Sequence, residues 1–286
     1  MPLYPRWGLP ACTISLLLPF SMTSRFAVCV LALLLCCHCS DSYEPSTLPD
    51  PRDPQFIEEC VETHNRFRSG VDPPASDMRY MTWDPDLAKT AKAWAKKCLF
   101  KHNIYLQQRG KTHPRFAFAG ENLWTGSIAA FTVKGAITSW YNEVQFYTYN
   151  TNECSKVCGH YTQVVWATSY KVGCAVHFCP KVAYTSIPNA AHFICNYGPP
   201  GNYPVRPYKT GTECSECGGE QCTNKLCRNL QRDKIVEDFK WYPEWDKPAC
   251  DEFCVTIISV RLILLLLTFL ATWLLPKYWS IVPASG

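Results

Sequence analysis

Hydrophobic side chains recur at helical spacing in two early stretches of the chain, and each stretch opens on an aspartate followed by a proline. Asp53 and Pro54 open the first stretch. An aspartate cap before a first-turn proline is typical of a helix start, and Gly70 suits the helix end. The apolar face of this first predicted helix consists of Phe56, Ile57, Cys60, Val61, His64 and Phe67.

The second stretch repeats the same start signal at Asp84 and Pro85. One face of the predicted helix then carries Leu87, Ala91, Trp94, Ala95, Cys98 and His102. This register predicts that His102 lies at the end of a buried helical stripe.

A third helix is predicted over 131–147, where one side carries Ala136, Trp140, Glu143 and Tyr147. A glutamate on an apolar face costs free energy unless another group pairs with it. We therefore predict that Glu143 faces a polar pocket.

Three later runs have the composition of β-strands: 161–168, 173–179 and 192–197. A short turn joins the first two runs, which predicts an antiparallel hairpin between them. His160 opens the first run, where it either satisfies a backbone group in the core or faces a pocket. Early helices followed by antiparallel strands predict an α+β domain.

The N-terminal region has the pattern of a secretory signal peptide. After Met22, Arg25 is followed by an apolar run over 26–37 and by small residues at Cys37 and Cys39. This pattern predicts a signal peptide over 22–39 and an upstream extension over 1–21, with Met1 or Met22 as the true start.

The C-terminal region has the length and composition of a membrane anchor. Residues 255–275 are apolar except for Arg261, which is about the 20 residues that a bilayer requires. One alternative is a spanning helix, favoured by the tail 276–286. The other is a removed lipid-anchor signal, with small residues at 249–251 upstream. Either one holds the chain on the extracellular face of a membrane, and a soluble secreted form is the third alternative.

Cysteine content and charge narrow the class of protein. Eighteen cysteines in 286 residues indicate an oxidising compartment and a disulfide framework. The formal net charge of +4, with no long basic run, argues against a nucleic-acid partner.

The predicted domain order is a lead-in linker over 40–53, a folded domain over 54–205, a cysteine-rich hinge over 206–227 and a solvated stalk over 228–254. The hinge has almost no apolar residues, so cross-links must hold it. The spacing of its cysteines also suits zinc, but an exported chain favours two disulfides. The hinge cysteines are Cys214, Cys217, Cys222 and Cys227.

Two stretches carry a resemblance to a known family. The segments “GHYTQVVWATS” over 159–169 and “HFICNYGPPGNY” over 192–203 are similar, in order and separation, to the two signatures of the CAP superfamily. This superfamily comprises cysteine-rich secretory proteins, venom antigens and plant pathogenesis-related proteins. “HNRFR” at 64–68 and “GENLW” at 120–124 add two matches. Within the superfamily the chain looks most like the glioma pathogenesis-related group and its like-proteins, and the resemblance implies a three-layer α-β-α sandwich.

The resemblance also implies a central cavity lined by His102, Glu121, Glu143 and His160. Such a tetrad can bind a divalent metal such as zinc, with His102 and His160 as candidate ligands. It can also form an acid–base set or a polar network that fixes the core. A zinc-dependent hydrolase is the alternative function. No serine or cysteine nucleophile stands at the motif positions, so we assign no catalytic residue and no certain cofactor.

The disulfides implied by the resemblance are Cys98–Cys179, Cys174–Cys195, Cys214–Cys222 and Cys217–Cys227. Cys60, Cys154 and Cys158 are left over. Cys154 and Cys158 can form a bridge with each other. Cys60 can be a free thiol or can pair with a cysteine of another molecule.

The resemblance implies two kinds of binding function. Some relatives bind sterols or other lipids, for which the loop over 180–191 is the candidate, although its composition indicates only a hairpin connection. Other relatives are recognition modules in host defence, sperm maturation and gamete binding. A membrane-tethered body fits the second kind better. We therefore expect a non-enzymatic module that binds a cell-surface protein partner.

Overall fold

A computed structural model describes residues 48–246 and 252–279. The predicted upstream extension, the signal peptide, the first residues of the lead-in and the end of the tail lie outside the described residues. The cysteines of the predicted signal region lie outside them too.

The first two helices begin where the sequence predicts. Helix α1, Pro54–Ser69, is capped by Asp53, whose carboxylate accepts from the backbone N–H of Gln55, and Gly70 follows its last turn. Helix α2, Pro85–Ala95, is capped by Asp84 in the same way. The further helices are α3 at Val133–Tyr141, α4 at Gly159–Val164 and α5 at Glu252–Trp279.

The main sheet has four strands in the order β1-β5-β6-β2. Its members are β1 at Thr82–Trp83, β2 at Gly120–Ser127, β5 at Lys171–Lys181 and β6 at Pro188–Gly198. Strands β5 and β6 are antiparallel, with Cys174 opposite Cys195, and β2 continues the antiparallel order as an edge strand. Two small ribbons pair β3 at Tyr147–Thr148 with β4 at Glu153–Cys154, and β7 at Gln221–Thr223 with β8 at Leu226–Arg228.

Helices cover both faces of the main sheet. On one face, Ala91 and Trp94 of α2 pack with Leu123 and Ile194 of the sheet. On the other, side chains of α1, α3 and α4 pack around Phe193. This is the expected α+β fold with a three-layer α-β-α sandwich.

The stretch 161–168 is not a strand, and the hairpin predicted from it is wrong. Residues Gly159–Val164 form α4, and irregular backbone follows. The buried side chains Tyr161, Val164 and Val165 have the i, i+3, i+4 spacing of a helix face, which overrides the β-branched composition. The antiparallel hairpin of this domain joins β5 to β6 instead.

Two predicted helices end earlier than expected. Helix α2 ends at Ala95, and Cys98 has a positive φ of 52°, so His102 lies in a loop and not on a helical stripe. Helix α3 ends at Tyr141 and passes into a 3-10 turn over Asn142–Phe146 that carries Glu143. The loop predicted over 180–191 is also shorter, because β5 and β6 extend into it at both ends.

Five disulfides are present among the described residues. Four are the pairs that the resemblance implies: Cys98–Cys179, Cys174–Cys195, Cys214–Cys222 and Cys217–Cys227. The fifth joins Cys154 to Cys158, and Cys60 is free and buried in the core.

The chain on either side of the domain contacts the domain. Asp50 of the lead-in pairs with Lys92 at 2.6 Å. Residues 229–246, within the predicted stalk, lie against the domain, and we call this segment the strap. Its ring contacts include Trp245 stacked on Tyr105 at 4.3 Å. The many charged residues of this segment predicted a solvated stalk. They could not show that Lys89, Arg115 and Lys171 of the domain donate to backbone carbonyl groups of the strap.

A buried arginine on α1 ties three segments together. Arg68 is 1% exposed, and none of the ion pairs between described residues involves it. Its guanidinium makes hydrogen bonds of 2.7–3.2 Å to the carbonyl oxygens of Arg79, Val164, Trp166, Ala167 and Ser169. Burial lowers the pKa of Arg68 to about 9, so the group remains charged at neutral pH.

Replacing Arg68 by lysine should therefore destabilise the domain although the charge is kept. An ammonium group cannot reproduce the planar fork of donors, and several buried carbonyls would lose their partner. We expect the free energy of unfolding to fall by about 3 kcal/mol. Urea unfolding of the disulfide-intact protein in detergent, followed by near-ultraviolet circular dichroism, measures this change.

Arg66→Lys is the matched control, because Arg66 lies on the same helix and is exposed. It should change the free energy of unfolding by less than about 0.5 kcal/mol. Equal effects of the two substitutions would contradict the role assigned to Arg68.

Candidate functional site

Glu143 and His160 form the first of two histidine–carboxylate pairs. His160 Nδ1 lies 2.6 Å from Glu143 Oε1. The other carboxylate oxygen, Oε2, accepts from the backbone N–H of His160 at 3.0 Å and of Tyr161 at 3.4 Å. Glu143 thus binds the start of α4 and orients the imidazole of the second helical residue. Trp140 lies parallel to that imidazole, with ring centroids 6.3 Å apart.

His102 and Glu121 form the second pair. His102 Nδ1 lies 2.9 Å from Glu121 Oε1, which also accepts from the backbone N–H of Asn103 at 2.9 Å. Asn196 Nδ2 lies 3.4 Å from the other oxygen. The Glu121 side chain is fully buried, whereas the His102 side chain is 59% exposed.

The two pairs approach the start of the edge strand β2 from its two faces. Glu121 binds His102 directly, and the next residue, Asn122, donates through Nδ2 to the backbone oxygen of His160 at 3.0 Å. Successive strand side chains point to opposite faces of a sheet. Each pair therefore contacts one of two neighbouring residues at the start of β2.

The hydrogen bonds fix which nitrogen of each imidazole is available. A carboxylate only accepts, so the Nδ1 atoms of His102 and His160 carry protons that they donate to Glu121 and Glu143. In the neutral imidazole, Nε2 is then an acceptor with a free lone pair. A histidine whose Nδ1–H is held by a carboxylate is the usual arrangement around a protein-bound metal ion. Each of the two imidazoles therefore offers its Nε2 atom as a possible metal ligand.

A buried hydrogen-bond chain supports the site from the core, and the sequence analysis missed its role. His64 Nδ1 donates to the Cys60 carbonyl at 2.7 Å, so His64 Nε2 accepts from the Tyr197 hydroxyl at 2.9 Å. The Tyr197 oxygen in turn lies 3.3 Å from Asn122 Nδ2, which holds His160. His64 and Tyr197 occur in the recognised “HNRFR” and “HFICNYGPPGNY” segments. For Tyr197 that position is the only sequence signal, whereas His64 also belongs to the apolar face predicted for α1.

The chain is similar in sequence to proteins of a known family. The model of the CAP family, described as the Cysteine-rich secretory protein family, matches residues 61–197. Glioma pathogenesis-related protein 1 of Mus musculus is 48% identical to this chain over 246 residues. The match covers 85% of this chain and 92% of the length of that relative. This chain belongs to the CAP family.

Two further comparisons concern the CAP domain. GLIPR1-like protein 1 of Bos taurus is 50% identical over 228 residues, covering 79% of this chain and 91% of its own. These relatives confirm the predicted resemblance to the glioma pathogenesis-related group. A solved structure, NaASP2 with Zn2+, is 28% identical with a TM-score of 0.48, covering 61% of this chain and 96% of that chain.

The CAP domain also has a surface groove of about 770 Å³ beyond α4. We call it the aromatic groove, and its lining includes Tyr149, Trp166, Tyr203, Val205, Arg206 and Tyr208. The Tyr203 ring is half exposed and lies 6.0 Å from that of Trp166. Arg206 is held over Tyr149 by a 2.9 Å hydrogen bond from Nε to the Tyr149 carbonyl. The groove thus presents a preordered aromatic and cationic surface.

Two buried histidines make the CAP domain sensitive to acid. Burial lowers the pKa of His64 and of His192 to about 4, from 6.5. The unfolded chain therefore binds protons that the folded chain does not between pH 6.5 and 4. The free energy of unfolding should fall across this window as the pH is lowered, by about 1.4 kcal/mol per pH unit for each histidine. Urea midpoints measured at a series of pH values test this.

The variant His64→Gln supplies the control for this pH dependence. It removes one of the two histidines whose pKa burial lowers to about 4, so the slope between pH 6.5 and 4 should fall by about 1.4 kcal/mol per pH unit. A parent protein whose unfolding free energy is constant over this window would contradict the prediction.

Proposed function

We propose that this chain is a non-enzymatic recognition module of the extracellular face, tethered to the membrane by its C-terminal apolar segment. It binds a protein partner at a cell surface through the aromatic groove. The composition of that groove is the observation that carries the proposal. Tyrosine, tryptophan and arginine are the residues enriched at the energetic centres of protein interfaces.

The C-terminal helix supports the tether. Residues Val255–Leu274 of α5 form an apolar stretch of 20 residues with no part buried against the rest of the chain. Its length matches the hydrocarbon core of a bilayer. A tethered module meets its partner on an opposing or neighbouring surface, so a preordered binding groove suits it. Gametes and defence cells are the two cell types that the family resemblance suggests for the first tests.

The chemistry of the tetrad supports a non-enzymatic assignment. Both carboxylates are occupied by an imidazole and by backbone N–H groups. The described contacts of the tetrad include no serine hydroxyl or cysteine thiol that could serve as a nucleophile. The hydrolase alternative therefore depends on water activated by a bound metal ion.

A divalent cation at His102 and His160 is the second candidate function, because each Nδ1 is held by a carboxylate. Zinc bound there would supply Lewis-acid character. Within this chain, His102 and His160 would bind it, while Glu121 and Glu143 would orient the imidazoles. If the chain is a recognition module, such an ion would fix the positions of the histidine side chains and would not catalyse a reaction.

Substitution in the aromatic groove should weaken cell binding. We expect Tyr203→Ala to reduce the affinity of the vesicle-reconstituted full chain for intact partner cells about tenfold or more, because truncating an aromatic anchor removes its buried contact. Flow cytometry with a fluorescent lipid in the vesicles measures the binding. Reduced and alkylated protein sets the background.

Tyr184→Ala is the matched control, since Tyr184 is an exposed tyrosine in the β5–β6 connection, outside the groove. Its binding to cells should equal that of the parent. Binding lost in Tyr184→Ala and kept in Tyr203→Ala would overturn the groove assignment. Saturable labelled-sterol binding that also depends on Tyr184 would then favour the lipid-binding alternative.

The cation candidate predicts a distinct binding signature. Zinc titrated into the full chain in detergent should give a saturable calorimetric heat that is lost in His102→Ala and in His160→Ala. Glu121→Gln should weaken zinc binding about 10–100-fold, because it removes the carboxylate that orients His102. His177→Ala, in strand β5, should bind as the parent does. Heat that persists in both histidine variants would remove the candidate.

A further inference from the structure

The backbone of the strap is held against the domain by cations. Lys171 Nζ donates to the carbonyl oxygen of Lys234 at 2.7 Å, and Arg115 donates to that of Val236 at 2.9 Å. Lys89 Nζ donates to the carbonyl oxygen of Asp238 at 2.6 Å. Three carbonyl groups over five residues thus point inward.

The Asp238 amide completes this attachment. It donates to Asp86 Oδ2 at 3.1 Å, and Asp86 is buried at the start of α2. Burial lowers the pKa of Lys171, and its ammonium group is satisfied partly by the strap carbonyl. The domain therefore needs this backbone in place to satisfy its own buried charges.

The apolar side chains of the same segment are left outside. Ile235 is 63% exposed and Phe239 is 77% exposed, and Val236 is also exposed. This is the reverse of ordinary packing, in which apolar groups turn inward. A cluster of exposed large apolar side chains on an ordered segment indicates an interaction surface.

The position of the strap along the chain indicates what covers it. The strap ends at Asp246, and the apolar stretch of α5 begins at Val255. The connecting residues can extend over about 30 Å at most. The strap also has exposed Lys234 and Lys240, close in sequence to Ile235 and Phe239. Lysines that extend their side chains from apolar surroundings to water are typical of the interface between lipid and water.

We propose that the outer face of the strap, formed by Ile235, Val236 and Phe239, inserts into the headgroup layer of the bilayer that holds the C-terminal helix of the same chain. The CAP domain is then fixed on the membrane surface instead of moving freely at the end of a stalk. This inference rests on the proposed membrane tether. It adds to the tether a second contact with lipid.

Photochemical cross-linking tests the proposal with the full chain. Phe239 is replaced by p-benzoylphenylalanine, which keeps an aromatic ring at an exposed position, and the protein is reconstituted into vesicles of palmitoyl-oleoyl phosphatidylcholine. Irradiation should give peptides that carry the mass of one lipid. The same analogue at Val157, which is 68% exposed outside the strap, is the control. We expect at least tenfold more lipid adduct at 239 than at 157.

A second position protects the test against a local folding defect. The analogue at Ile235 should also give lipid adducts, and the free-thiol count of each variant reports whether the disulfides have formed. Adduct yields at 239 and 235 no higher than at 157 would overturn the proposal. Adducts to a second copy of the chain, in place of lipid, would overturn it as well.

Flotation separates this proposal from the tether on which it rests. Vesicles are washed in alkaline carbonate and floated before irradiation. A chain that does not float with the vesicles refutes both the tether and the docking. A chain that floats but gives no adduct at 239 refutes the docking alone.

Discussion

The guanidinium of Arg68 is the constraint on which the arrangement of the site depends. It accepts no bond itself but donates to the carbonyl of Arg79 before β1, to that of Val164 at the end of α4 and to that of Ser169 in the segment that follows. The last carbonyls of a helix and those of irregular segments have no partner within a helix or a sheet. The guanidinium of Arg68 supplies these carbonyl groups with charge-assisted hydrogen bonds in place of the backbone hydrogen bonds that they lack. The helix that carries His160 and the chain that carries Trp166 are thereby fixed to α1.

The free edge of β2 explains why the tetrad assembles where it does. An edge strand leaves backbone groups and side chains accessible from the side as well as from both faces. Glu121 binds the loop that carries His102 on one face, and Asn122 binds the start of α4 on the other. Residues from segments far apart in sequence reach one region because a single strand edge receives them. Tyr197 and His64 then connect this edge to the core.

The sequence predicts much of the fold, and the parts it misses have physical causes. Aspartate–proline starts are local signals, so α1 and α2 begin as predicted. Their ends depend on tertiary contacts: Cys98 leaves the helical conformation at the point where its disulfide to Cys179 forms. The run 161–168 fails because β-branched residues conceal a helical burial pattern. The partners of Glu143 and His102 follow from no periodicity at all, and only the family motifs indicated that they belong together.

The start of α2 has a further consequence for the docked strap. Asp84 caps the helix and also accepts from His113 Nε2 at 3.1 Å. His113 Nδ1 accepts from the backbone N–H groups of Arg115 and Phe116, so the ring donates to Asp84 through Nε2. Asp86, two residues further along α2, accepts a hydrogen bond from the backbone N–H of Asp238 in the strap. Because the cap and the strap share one small acidic cluster, displacement of the strap would expose charges at the start of a core helix. The strap is therefore part of the folded domain, and its outward apolar face is fixed in direction by the same interactions that hold α2.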